Sequence, residues 1–158
     1  MRGVGGNGTL GGVVDIAAGA AHTMLLLGNK TMWIVGDNTE KQLGVDTTKD
    51  GNTYTATIVE VDLPVDANSS TGDKVEAAAL SAGPYNSAFM TADGRAFVWG
   101  NNQYYQVLND AAGEKVSLVS QINIPNETSG IVDLQFGGSR SAQTHICLLY
   151  TSPSPRDA

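Results

Sequence analysis

The side chains able to do chemistry are few, and their spacing argues against most reactions. Two histidines, His22 and His145, and one cysteine, Cys147, are the whole complement of imidazole and thiol. His22 has no second His or Cys near it, so spacing assembles neither a metal centre nor a Ser-His-Asp triad around it. A partly buried structural imidazole is the favoured reading. The run GVGGNG, Gly3 to Gly8, fits the Gly-x-Gly-x-x-Gly pattern whose amides can cradle a phosphate. No strand-like run precedes it and no amphipathic helix follows, so residues 1–12 are expected to form a flexible loop. DTTKDGN, from Asp46, opens like a calcium loop but has Thr48 at its third position and Thr57 where the bidentate glutamate belongs. A polar loop between strands is expected instead. Asn7, Asn29, Asn68 and Asn126 each begin an Asn-x-Ser/Thr sequon, which a chain rich in these residues produces by chance. No catalytic residue, metal or cofactor is therefore expected.

Tyr104-Tyr105 is the remaining candidate. Adjacent side chains on a strand point to opposite faces, which would leave one of the two exposed. Exposed aromatics are favoured at the centres of protein interfaces. A repacked sheet edge is the alternative.

Bulk composition narrows the partners. The chain has 158 residues, 41% of them hydrophobic, so it is long enough to bury a core. Nineteen glycines against three phenylalanines indicate many turns and small side chains. The formal charge is −7, from 16 acids and 9 bases without a basic run, which disfavours contact with nucleic acid or an anionic membrane. No apolar stretch is long enough for a spanning helix.

What positions these residues is a repeat. GAAHTMLLLGNKTMWIVGDNTEKQLG, residues 19–44, aligns without a gap at an offset of 64 positions on GPYNSAFMTADGRAFVWGNNQYYQVL, residues 83–108. Gly19 falls on Gly83, Thr23 on Ser87, Leu25 on Phe89, Trp33 on Phe97, Gly36 on Gly100, Asn38 on Asn102 and Gln42 on Gln106. A third copy opens at IVDLQFGG, residues 131–138, which mirrors VVDIAAGA at 13–20 and places Gly137 with Gly19. Each copy consists of short apolar runs closed by Gly, Asn or Asp, the pattern of strands. Asp93-Gly94 predicts a hairpin turn because both residues tolerate positive φ, and Asn29-Lys30 is its weaker counterpart. A fourth run ends at Pro64 in copy one and at Pro125 in copy two. Four short strands per unit are the makings of a propeller blade.

This unit resembles the regulator of chromosome condensation repeat. That pattern is an apolar strand ending in Gly, then His, a hydrophobic strand, a Gly turn, a Trp-Gly-x-Asn segment and a Gly-Gln-Leu-Gly segment. Copy one supplies Gly19, His22, Leu25, Gly36, Asn38 and Gln42-Leu43-Gly44; copy two supplies Gly83, Phe89, Asp93-Gly94, Trp99-Gly100-Asn101-Asn102 and Gln106. Copy two departs at Asn86, which replaces the His, and at Tyr105-Gln106-Val107-Leu108, which lacks the glycines. Copy three carries Arg140 at the His position, and copy one has Val35-Gly36 for Trp-Gly. The resemblance implies an all-β partial β-propeller, two four-stranded blades and the start of a third from a seven-bladed ring. Its repeats would span 13–64, 75–125 and 131–146. Gly19, His22, Gly36, Gly83, Trp99, Gly100 and Gly137 would be structural, with Trp99 packing blade on blade. The resemblance also implies a non-catalytic platform for protein partners, monomeric at full length. The alternatives are part of a guanine-nucleotide exchange factor for a Ran-like small GTPase, or the propeller of a multidomain ligase or kinase.

The periodicity stops after Ile146. CLLYTSPSPRD, Cys147 to Asp157, is similar to the in-frame translation of a transposase sequencing adapter. Residues 147–158 are therefore read as a non-native tail, and the natural product is expected to continue differently.

Overall fold

The computed structural model describes residues 10–45, 53–105, 107, 116–122, 130–137 and 144–148. The glycine run at 3–8, the loop at 46–52, Asn126, Arg140 and the tail beyond Leu148 lie outside the described residues. Every element among those described is a β-strand. Blade one is an antiparallel meander of β1 (Val13–Ala18), β2 (His22–Leu27), β3 (Met32–Asp37) and β4 (Tyr54–Glu60). Blade two repeats it with β5 (Ala79–Ala82), β6 (Asn86–Met90), β7 (Ala96–Gly100) and β8 (Val116–Gln121). Two further strands, β9 (Ile131–Phe136) and β10 (Thr144–Leu148), pair antiparallel and begin a third sheet.

The sequence repeat is also a repeat of backbone detail. The pairing of β3 with β4 slips between Ile34 and Gly36, and that of β7 with β8 slips at the equivalent Val98 and Gly100. Both glycines have positive φ, 120° and 109°. A Cβ on Gly36 would lie 2.3 Å from the Ala21 carbonyl oxygen, and one on Gly100 would lie 2.4 Å from that of Tyr85. Only glycine fits that approach of strand to turn. The hairpin turns match as well, with Gly94 at φ 83° and Lys30 at φ 69°.

Alternation along β6 and β7 builds two cores. Phe89, Phe97 and Trp99 point one way, into a cluster with Met24, Leu26, Met32, Ile34 and Leu43 of blade one. Phe89 and Phe97 face each other across the strands and stack at 4.7 Å, while Trp99 meets Phe89 edge-on at 6.3 Å. Ala88, Ala96 and Val98 point the other way, against Ile131 and Leu134 of β9. Blade two is thus buried on both faces. Each large side chain so covered contributes about 1.5–3 kcal/mol, which makes blade packing the main support of the fold. Small residues set how closely the inner strands approach: a Cβ on Gly19 would stand 2.4 Å from the Gly83 carbonyl oxygen, and one on Gly83 would stand 2.8 Å from Phe136 Cβ.

The connector between blades is pinned by charge. Arg95, just past the Asp93-Gly94 turn, donates from both terminal nitrogens to Asp66, at 2.8 and 2.7 Å, and also pairs with Asp93. Those contacts hold the Asp66 and Asp93 carboxyls below the usual carboxylate range, chiefly through hydrogen bonds from Arg95.

Candidate functional site

Two features stand out where the blades meet: a buried polar junction and an exposed cleft on the loop side. The junction centres on Ser87 of β6. Its hydroxyl donates to the Gln42 carbonyl oxygen at 2.6 Å and lies 2.9 Å from His22 Nε2. A serine hydroxyl has one hydrogen, so with that hydrogen on Gln42 the histidine must donate from Nε2. Nδ1 is then the unprotonated nitrogen, and it is buried without a hydrogen-bond partner. Burial pushes the His22 pKa down to about 4, against smaller opposing effects of the Asn86 backbone and the Asp37 charge. Trp99 Nε1 donates to the same Gln42 carbonyl at 2.9 Å. Ser87 and Trp99 of blade two thus share one carbonyl of blade one's turn, and His22 is joined to it through the Ser87 hydroxyl. No group of three or more His, Cys, Asp or Glu side chains able to hold a metal occurs among the described residues.

The turn that follows β3 and β7 is built the same way in both blades. Asn38 Oδ1 accepts from Leu43 N at 3.0 Å, and Asn102 Oδ1 accepts from Val107 N at 3.1 Å. Both asparagines are buried. Lys41 and Tyr105 occupy equivalent positions in the left-handed region, φ 65° and 58°, where the repeat pattern has glycine. This corrects the strand-based expectation for Tyr104-Tyr105: the pair lies in a turn, so its side chains do not divide between two sheet faces. Both are exposed, at 58% and 57%.

Tyr104 lines a cleft of about 280 Å³ with Glu40, Tyr85, Asn101 and Gln103. The walls come from two blades. Asn101 N donates to the Tyr85 carbonyl at 3.0 Å, Asn101 Oδ1 accepts from Gln103 N at 3.1 Å, and Asn101 Nδ2 donates to Glu40 Oε2 at 2.8 Å. Glu40 is held from behind by the buried Gln42, whose Oε1 accepts from Glu40 N and whose Nε2 donates to Asp37. Sequence reading singled out Tyr104 but missed Glu40 and Tyr85. The available signal was the offset itself, since Glu40 aligns with Tyr104 and Ala21 with Tyr85, two positions where the copies change chemistry. Gly137, half-buried, follows β9 and takes no part in the cleft.

Four-stranded antiparallel meanders stacked face to face, with inner strands meeting at glycines, are blades of a β-propeller. Residues 13–42 and 77–106 match the model of the regulator of chromosome condensation (RCC1) repeat, and the chain belongs to that repeat family. A regulator of chromosome condensation from Drosophila melanogaster is 35% identical over 88 residues, covering 56% of this chain and 14% of that protein. One from Xenopus laevis is 32% identical over 117 residues, 72% of this chain and 25% of that protein. The structure of Prp20p from Saccharomyces cerevisiae superposes with a TM-score of 0.65 at 18% identity, over 91% of this chain and 33% of Prp20p. The chain therefore spans a quarter or less of these two relatives' length.

Proposed function

We propose that this chain is part of a non-catalytic propeller platform for a protein partner, engaged through the loop face that carries Tyr104 and Tyr105. The observation that supports it is the pair itself. Two adjacent tyrosines are exposed on a turn whose hydrogen-bonded frame is otherwise shared by both blades, and one of them sits on left-handed backbone suited to glycine. Both side chains are more than half exposed, and exposed aromatics are favoured at the centres of interfaces. In the same reading, 13–146 is the repeat region and residues from Cys147 onward are a foreign tail. An independent sequence of the transcript past Ile146 tests that part directly.

A photo-crosslinking amino acid at position 104 of the full-length protein, in cells of its source, tests the platform. A discrete protein adduct is expected there and not at Asp62, an exposed position elsewhere on the blade. Equal yields at both positions would remove the reading. A second reading is favoured by the relatives' name and by Prp20p, described with its binding properties to Gsp1p and histones. In it the platform serves a guanine-nucleotide exchange factor. Faster nucleotide release from a Ran-like GTPase with the full-length protein than without it is the result it requires.

A further inference from the structure

Asp15 ties the two complete blades together at their inner strands, and Asp133 stands at the same place on β9. Asp15 Oδ1 accepts from its neighbour Ile16 N at 2.8 Å, while Oδ2 reaches blade two and accepts from Leu80 N of β5 at 2.9 Å. In the repeat, Asp133 falls on Asp15 and Leu134 on Ile16. Asp133 Oδ1 likewise accepts from Leu134 N, at 2.9 Å, and also from Gln135 Nε2 at 3.0 Å. Its Oδ2 has no hydrogen-bond partner among the described residues, and Asp133 is exposed where Asp15 is half-buried. We propose that Asp133 is the contact point for one further blade of the same repeat in the full-length protein. Its Oδ2 accepts from a main-chain N–H on that blade's innermost strand, at the position of Leu80.

The backbone places the two aspartates alike. The pairing of β1 slips between Val13 and Asp15, and that of β9 slips between the equivalent Ile131 and Asp133. Leu134 packs back against blade two, so its strand neighbours Asp133 and Gln135 face the other way, as Asp15 and Ala17 face blade two from β1. Blade two differs. It carries Ala79 where the other inner strands carry aspartate, so Leu80 N meets no carboxylate on its own strand and is left to Asp15. The amides that follow the aspartates, Ile16 N and Leu134 N, are bonded from within. The contact therefore joins a strand that has the aspartate to one that lacks it, through a charge-assisted hydrogen bond. This defines the partner: its innermost strand has a residue without a side-chain acceptor, such as alanine, at the position of Ala79. A second copy of this chain does not meet that requirement, because the inner strand it would present is β1, whose Ile16 N is already bonded to Asp15. The inference rests on the propeller fold and is independent of the platform reading.

Carbodiimide labelling of the wild-type, full-length protein tests the contact without any substitution. Asp133 should be protected there, as Asp15 is, while Asp62, whose side chain is 88% exposed, should label freely. Hydrogen exchange at single amides then identifies the donor. Asp133→Asn keeps the shape of the side chain but replaces one carboxylate oxygen by a donor. In that variant the amide at the position of Leu80 in the following blade should exchange roughly tenfold faster, with the rest of its strand unchanged as the sign of an intact fold. Asp15→Asn should have the same effect at Leu80 itself. Three results would each overturn the proposal: labelling of Asp133 equal to that of Asp62, an exchange rate unaltered in folded Asp133→Asn, or an acidic or amide side chain at the position of Ala79 in the following repeat. Protection of Asp133 that is lost on dilution would assign the contact to a second copy and overturn it as well.

Discussion

The Ser87 hydroxyl stands 2.9 Å from His22 Nε2 and 2.6 Å from the Gln42 carbonyl oxygen, so one buried side chain of blade two holds a strand and a turn of blade one. Because Trp99 uses the same carbonyl, polar links and apolar packing converge at one point of the blade junction.

Replacing Ser87 by Ala removes the acceptor of His22 Nε2 and leaves a buried donor unpaired. The expected cost is about 1–3 kcal/mol, read as a lower urea midpoint at constant slope. A midpoint unchanged from wild type would mean that the link carries no net stability.

Stability should also depend on pH through His22. Its folded pKa, about 4, lies below the ordinary value of 6.5. The unfolded chain therefore binds the proton first, and the neutral imidazole's contribution is complete above pH 6.5. It is lost as pH falls from 6.5 to about 4, by roughly 3 kcal/mol in total. Asp66 and Asp93 also have lowered pKa values, so their losses fall below the usual carboxylate range and not in the upper part of this window. His22→Asn, the change already present at Asn86 in blade two, should flatten the wild-type slope between pH 6.5 and 5 in urea unfolding. An identical slope in the variant would remove His22 as its source.

Two glycines separate backbone strain from steric collision. Gly100 and Gly72 both have positive φ, 109° and 80°, but only Gly100 faces a close neighbour, the Tyr85 carbonyl oxygen. Gly72→Ala should cost about 1 kcal/mol, the conformational penalty alone. Gly100→Ala should cost roughly 3 kcal/mol or more, because the clash is with backbone. Thermal unfolding of the two variants side by side gives the comparison, and equal losses would contradict it.

At Tyr105 the opposite substitution is informative. Tyr105→Gly relieves left-handed backbone and discards a side chain that is 57% exposed. Glycine's extra freedom in the unfolded chain offsets part of the gain, so stability should stay level or rise by up to about 1 kcal/mol. A clear loss of stability by denaturant unfolding would show that the ring supports the fold.

Much of the architecture was legible from residues alone, for local reasons. Strand texture, the Asp93-Gly94 turn and the offset joining Gly36 to Gly100 or Asn38 to Asn102 all express chemistry within one blade, and a repeat displays that chemistry twice. A resemblance carried by the same residues extended it to the propeller. Tyr104 and Tyr105 stood out because they break the pattern, yet their shared exposure was not readable, since it depends on a turn rather than a strand. What only the tertiary structure decided is how one blade meets the next. Ser87 reaches His22 across 65 residues and Gln42 across 45, and Asn101 reaches Glu40 across 61. Those contacts arise when Phe89, Phe97 and Trp99 pack against Met24, Leu26 and Ile34, and that burial sets the relative placement of the two loops. Apolar packing is not directional, so a linear pattern names the faces that will be buried without telling which polar groups the burial brings together.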